Sequence, residues 1–130
     1  YSIENNIIKR FTNGNLRIVE KQNHFFSRIH VEDIAEILTI SLKKFNSGQT
    51  YNISDNYPCS NTEIAEYASK LIKINMPKKI RFDDLSKGIM RDFYNDSKKV
   101  SNKKMKDFFK YTLKYPTFKE GLDMIRNNII

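Results

Sequence analysis

Apolar side chains recur along this chain with two different periods, and the switch between them marks out most of its elements. Ile7, Ile8 and Phe11 form a short helical stripe within Asn5–Phe11, broken by Asn13-Gly14-Asn15, residue types that tolerate positive φ. Leu16–Lys21 and Phe25–Val31 then read as two strands separated by the polar turn Gln22-Asn23-His24. From Glu32 the period lengthens to that of a helix. Ile34, Leu38, Leu42 and Phe45 share one face, with Ala35 and Ile37 beside them, which predicts a helix over Glu32–Phe45. Glu32, Asp33 and Glu36 near its start and Lys43-Lys44 at its end match the helix dipole, and Gly48 closes it. Thr50–Ser54 is short and β-rich, so strand, helix and strand predict a βαβ unit with a parallel pair and a right-handed crossover.

Ser60-Asn61-Thr62-Glu63 has the spacing of a capping box and opens a helix carrying Ile64, Ala68, Leu71 and Ile72 on one face. That helix must stop near Asn75, because Pro77 disfavours helical torsions at Met76. Lys79–Phe82 alternates as a strand, and Ser101 is placed to cap a helix through Met105, Phe108 and Phe109. Thr117-Phe118-Lys119-Glu120 repeats the capping-box spacing ahead of a last helix through Leu122 and Ile125. The expected class is α/β, a small mixed sheet with packed helices. No repeat or flexible linker divides the chain, so residues 1–130 read as one unit.

Composition narrows the function. The 130 residues are 39% hydrophobic, with 9 Phe and 7 Tyr, enough for a packed core and unlike a disordered tail. No run approaches the roughly 18 apolar residues of a membrane-spanning helix. Cys59 is the single cysteine, which points to a reducing, cytoplasmic setting. Tyr1-Ser2-Ile3-Glu4 is neither an initiator nor a signal pattern, and the expectation is a chain cut from a longer protein or processed. The net charge of +8 is uneven: residues 1–77 carry 9 basic and 8 acidic side chains, residues 78–130 carry 14 and 7. A basic second half attracts phosphates. However, Lys, Ile and Asn supply 48 of the 130 residues, the bias of AT-rich coding DNA, so drift alone can also account for the charge.

Few residues offer chemistry. His24, His30 and Cys59 show no nucleophile or metal spacing; no HxxxH or HExxH occurs. Gly14, Gly48, Gly88 and Gly121 are too far apart for a glycine-rich phosphate cradle. Tyr67 and Lys70 give Tyr-x-x-Lys, one residue short of Tyr-x-x-x-Lys.

The informative stretch is Phe26-Ser27-Arg28-Ile29-His30-Val31-Glu32-Asp33-Ile34-Ala35. It is followed in order by Tyr51-Asn52-Ile53-Ser54-Asp55, Ser60-x-x-Glu63-Ile64-Ala65, Asp96-Ser97-Lys98-Lys99 and Tyr115-Pro116-Thr117-Phe118-Lys119-Glu120-Gly121-Leu122. This ordered set resembles the C-terminal part of the extended short-chain dehydrogenase/reductase (SDR) family, the NAD(P)-dependent nucleotide-sugar epimerases and dehydratases. It is most similar to a bacterial epimerase-like branch with the segment Phe-Ser-Arg-Ile-His-Val. The resemblance implies a substrate-binding lobe plus the last βαβ elements of a Rossmann-type protein. NAD or NADP would then be held by a preceding N-terminal Rossmann half, in the same or a separate chain, and not by this piece. A nucleotide sugar is the implied substrate. Arg28 and Arg91 are the implied contacts to its diphosphate, with Asn52 and His30 as further substrate-side positions. Where the family has Arg four residues before the His this chain has Phe26, and Tyr1-Ser2-Ile3-Glu4-Asn5 replaces the family's Tyr-Gly-Pro-Gly-Arg.

Each of these residues has a structural alternative. His30 at a strand end can serve a helix cap, Asn52 can satisfy backbone groups, and Arg28 can pair with Glu32 or Asp33 instead of a phosphate. Two alternative functions stand beside the resemblance. One is a nucleic-acid-binding module built on Lys103, Lys104, Lys106, Lys110 and Lys114 beside Phe108, Phe109 and Tyr111. The other is a degenerate, non-catalytic interaction protein.

Overall fold

A computed structural model describes residues 1–129. The described residues form six α-helices and two short strands: α1 (Ile7–Thr12), β1 (Ile18–Glu20), α2 (Val31–Lys43), α3 (Asn61–Ile72), β2 (Lys79–Arg81), α4 (Ile89–Phe93), α5 (Lys103–Phe109) and α6 (Phe118–Ile129). β1 and β2 pair in parallel, Ile18 opposite Lys79 and Glu20 opposite Arg81. Parallel neighbours need a long crossover, and here α2 and α3 lie in the connection.

The α/β class therefore holds; the sheet is parallel, not mixed, and it pairs two of the predicted strands, Leu16–Lys21 and Lys79–Phe82, rather than the two segments that flank α2. Phe25–His30 and Thr50–Ser54 are extended without being strands of a ladder, and Val31 already belongs to α2. The reason is where their backbone groups go. Phe26 exchanges a pair of hydrogen bonds with Cys59, and the Arg28 carbonyl accepts from Asp55 N–H at 2.6 Å. The Ile29 carbonyl accepts from the backbone nitrogen of Tyr1 at 2.9 Å, and Val31 N–H donates to the Tyr1 carbonyl. These backbone groups are taken up by several different segments, so no single partner builds a register. The turn Asp96-Ser97-Lys98 belongs to this stitching: Ser97 Oγ accepts from Phe25 N–H at 3.0 Å, and Lys98 N–H donates to the Phe25 carbonyl.

Two hydrophobic clusters hold the helices. The larger joins Ile7, Ile8 and Phe11 of α1, Ile18 of β1, Ile64, Ala65 and Ala68 of α3, and Phe118, Leu122 and Ile125 of α6. The smaller joins Ile37 of α2 to Met105 and Phe109 of α5 and to Leu113, with Ile40, Tyr51, Ile53 and Phe108 at its margin. This second cluster bears on the lysine–aromatic run. Phe109 is buried, Phe108 stacks on Tyr51 at 5.0 Å, and Lys104, Lys106 and Lys114 bond to partners within the chain. Phe109 is thus used for packing, and Phe108 and Tyr111 are half-buried at the margin of the same cluster.

α2 corrects the expected core face. Asp33 and Ile37 are buried, whereas Leu38, Leu42 and Phe45 are 54, 84 and 79% exposed. The helix is apolar on two faces, and only one is covered within the described residues. Asp33 explains the choice. Its carboxylate accepts from Tyr111 Oη at 2.7 Å, Lys114 N–H at 2.7 Å and Tyr115 N–H at 3.1 Å, which clamps the segment after α5 onto the start of α2.

The capping signals place two helix starts where expected and a third one residue off. Ser60 Oγ accepts from Glu63 N–H at 3.0 Å, but the Glu63 carboxylate takes the Tyr57 hydroxyl instead of closing the box. At Thr117 the return bond is present, from Thr117 N–H to Glu120 at 2.9 Å. Asn102, not Ser101, occupies the cap position of α5, with Ser101 Oγ accepting from Lys103 N–H one step earlier. α4 is a helix the periodicity did not indicate, since its Ile89 and Phe93 face outward.

Gly121 lies under the Tyr1 ring. A Cβ there would sit 2.1 Å from Tyr1 Oη and 2.7 Å from the ring carbons, so Tyr1 would have to leave its seat. Gly121→Ala is expected to lower stability by about 1–2 kcal/mol, although alanine in a helix interior is intrinsically worth roughly 1 kcal/mol more than glycine. In the Tyr1→Ser background the same change should become neutral or stabilising. Urea midpoints of the four proteins check the cycle, and equal effects in both backgrounds would refute the contact.

Candidate functional site

A cleft of about 640 Å³ opens between α1, the extended residues 27–29 and 52–54, and the beginning of α3. Apolar side chains from Ile7, Ile29, Ile53, Ile64 and Leu122 form its floor and walls, and Tyr1, Asn5, Asn6, Ser27, Asn52, Ser54 and Asn61 add polar groups. Two of the lining residues are cationic, Arg10 and Arg28, and none is acidic. Such a concave, mostly apolar site with a few convergent polar groups and a positive bias suits an anionic ligand.

Arg28 is the best-placed of the residues the sequence singled out. Its Nη1 donates to the carbonyls of Phe26 (3.2 Å) and Cys59 (3.1 Å), and its Nη2 donates to Asn61 Oδ1 at 2.5 Å. The expected ion-pair partners are engaged elsewhere: Glu32 with Lys114 and the Tyr115 hydroxyl, Asp33 with the segment after α5. Arg28 makes no ion pair among the described residues. Burial draws its pKa below the ordinary arginine value, but a guanidinium remains charged. A half-buried cation with no counter-ion is what an incoming phosphate or carboxylate can complete.

Asn52 is exposed at the rim of the same cleft. His30 is not among the lining residues. It caps α2, its Nδ1 accepting from Glu32 N–H at 3.3 Å, and its ring packs against Tyr1 and Tyr115 with centroids 5.1 and 4.2 Å away. Burial holds its pKa below the usual histidine value, so the ring is neutral and serves as an acceptor. Arg91, on α4, also lies outside the cleft lining. It donates to the carbonyls of Phe82 (3.2 Å) and Leu85 (2.8 Å) and stacks over the Phe82 ring.

Sequence reasoning passed over Arg10, Asn61, Tyr94 and Asp55. Asn61 was hidden inside a capping signal, and Tyr94 and Arg10 sit in segments with no motif of their own. Asp55 ends the Tyr51–Asp55 stretch and is buried beside the Arg28 backbone. Its Oδ1 accepts from Tyr57 N–H at 2.9 Å, while its Oδ2 is buried with no partner. Burial pushes its pKa up to about 6, against the pull of Arg28. Cys59 is fully buried and its thiol is pushed up to about 11 by burial, the signature of an inert packing cysteine.

The described residues contain no cluster of three metal-ligating side chains and no helix long and apolar enough to cross a membrane. Gly14, Gly48 and Gly88 lie in turns with open space around them, Gly121 is inside α6, and none forms a close approach between a strand and a helix.

No family model matches the chain, and no curated protein matches it. Solved structures do. A functionally unknown conserved protein from Silicibacter pomeroyi DSS is 32% identical, with a TM-score of 0.92 over 98% of this chain and 46% of that one. The dTDP-glucose 4,6-dehydratase from Bacillus anthracis, solved with NAD, is 23% identical, with a TM-score of 0.71 over 92% of this chain and 36% of that one. A human epimerase family protein solved with NADPH is 18% identical, with a TM-score of 0.76 over 94% of this chain and 42% of that one. The chain therefore shares its fold with part of these NAD(P)-dependent epimerase- and dehydratase-type structures. It spans less than half the length of each of these structures.

Proposed function

We infer that residues 1–130 are a single unit, the substrate-binding portion of an NAD(P)-dependent nucleotide-sugar epimerase/dehydratase-like oxidoreductase. The observation that carries this reading is Arg28, an unpaired cation in a cleft without acidic residues, on the fold of that group. The cleft receives the diphosphate of a nucleotide sugar, with Arg28 as its principal contact and Asn52 at the rim. His30 acts on the substrate side only by capping α2 behind the cleft, and Arg91 shapes the neighbouring loop. The missing elements, a glycine-rich cradle and a Tyr-x-x-x-Lys, come from an N-terminal Rossmann half. The uncovered face of α2, with Leu38, Leu42 and Phe45, is the surface that half covers. Cofactor binding and hydride transfer belong to that half, so this chain alone turns over no substrate. The setting is cytoplasmic, in keeping with a lone, buried thiol.

The test is a titration of the chain with UDP and, separately, with NADH, followed by NMR chemical shifts. UDP should bind weakly at residues around the cleft, and Arg28→Met should weaken it about 10–100-fold, the worth of one charge-assisted hydrogen-bond pair. NADH should give no saturable shifts. Tight NADH binding, or UDP binding indifferent to Arg28→Met, would overturn the reading.

A further inference from the structure

We propose that Asn61 and Tyr94 are positioning residues that hold the Arg28 guanidinium in the plane and rotation in which it meets an anionic ligand. The inference rests on the reading of Arg28 as the phosphate contact and adds the parts that aim it. Asn61, the first residue of α3, is oriented by two bonds at once: its Oδ1 accepts from Arg28 Nη2 at 2.5 Å, and its Nδ2 donates to Tyr94 Oη at 2.6 Å. Arg28, which can only donate, sets the amide's orientation by requiring Oδ1 to face it, and this leaves Nδ2 to donate to the Tyr94 hydroxyl oxygen. Tyr94 is itself 5% exposed and packed on Phe26 and His24 with centroids 5.5 and 5.1 Å away. The guanidinium is thus held on Nη1 by backbone carbonyls and on Nη2 by a side chain anchored in a buried ring. The two arms leave Nε–H and the second Nη2 hydrogen without partners among the described residues.

The same chain of contacts links the two arginines that the sequence singled out. Tyr94 ends α4, the helix that carries Arg91, and Phe93 of that helix stacks on Phe26 at 5.1 Å. A shift of the loop around α4 would therefore reach Arg28 through Tyr94 and Asn61. Held in this way, an arginine loses less freedom on binding, which is how a weakly polar cleft gains affinity for a planar, bidentate acceptor.

UDP is the probe. Tyr94→Phe keeps the ring and removes the acceptor for Asn61. It should weaken UDP about 3–10-fold with an unchanged melting temperature, and should merge the separate Nη resonances of Arg28 as its rotation is freed. Asn61→Asp replaces the neutral acceptor by an anion that pairs with Arg28. It should abolish UDP binding while leaving the fold intact. If Arg28→Met loses UDP but Tyr94→Phe binds it as the wild type does, with Arg28 Nη signals still resolved, the positioning role is overturned and the reading of Arg28 stands. Should Asn61→Asp fail to fold, Tyr94→Phe decides alone. If the wild type does not bind UDP, or Arg28→Met binds it equally well, the reading itself falls and the positioning role with it.

Discussion

Asp33→Ala is expected to cost about 3–5 kcal/mol and to abolish cooperative melting near room temperature. The carboxylate is fully buried and accepts three hydrogen bonds, two of them from the backbone of Lys114 and Tyr115. Alanine would leave the Tyr115 N–H buried, and the Lys114 N–H and Tyr111 hydroxyl part-buried, without partners, at roughly 1–3 kcal/mol for each group that water does not reach. A small domain has only about 5–15 kcal/mol in total. The damage should propagate, because the clamp holds the segment between α5 and α6 on α2, and Met105, Phe109 and Leu113 meet Ile37 beside it. Glu36→Ala, on the exposed side of the same helix, should stay within about 0.5 kcal/mol of the wild type. Thermal and urea unfolding by circular dichroism check both, and an Asp33→Ala protein with a wild-type midpoint would remove the clamp from the account of the fold.

The second large effect is a dependence on pH. Asp55 has its pKa raised by burial from 3.8 to about 6, so the folded state holds this proton more tightly than the unfolded chain does. Its contribution is then fully present below about pH 4 and is lost as pH rises through 6. At about 1.4 kcal/mol per unit, the loss is on the order of 3 kcal/mol. His24 and His30 act in the opposite sense, since burial lowers their pKa values and their contribution disappears as pH falls below the ordinary histidine value. The difference between wild type and Asp55→Asn isolates the carboxyl. Asp55→Asn should gain on the wild type between pH 4 and 7 when urea midpoints are compared. A constant difference across that range would mean the carboxyl ionises normally.

Local signals survived into the structure wherever a residue's role depended on its sequence neighbours. Ser60 and Thr117 cap helices where their spacing to Glu63 and Glu120 places them, since a cap is made within one turn of chain. The stripe Ile64, Ala68, Leu71 points into the larger cluster for the same reason: α3 packs one face, and its apolar residues lie only there. α2 behaved differently because it carries apolar residues on two sides, and periodicity cannot say which side meets a neighbour. The deciding contact comes from Tyr111, Lys114 and Tyr115, about eighty residues away along the chain.

The candidate site divides in the same way. Arg28 was visible as a guanidinium in a stretch with family-like order, and it does line the cleft. Arg91 was visible too, yet its carbonyl contacts within the 82–85 turn are local and its place outside the cleft is not readable from spacing. Asn61 and Tyr94 had no signal, since an asparagine after a capping serine and a tyrosine between phenylalanine and asparagine are ordinary in composition.

What the residues alone determined is therefore the helices other than α4, their start points to within a residue or two, the α/β class and the family-like order of segments. All of these depend on periodicity and on bonds that close within a few residues. Tertiary structure alone decided which strands pair, which side of α2 is covered and which polar groups converge on Arg28. Extended segments carry no partner information of their own, and a buried side chain takes its environment from whatever the rest of the fold brings against it.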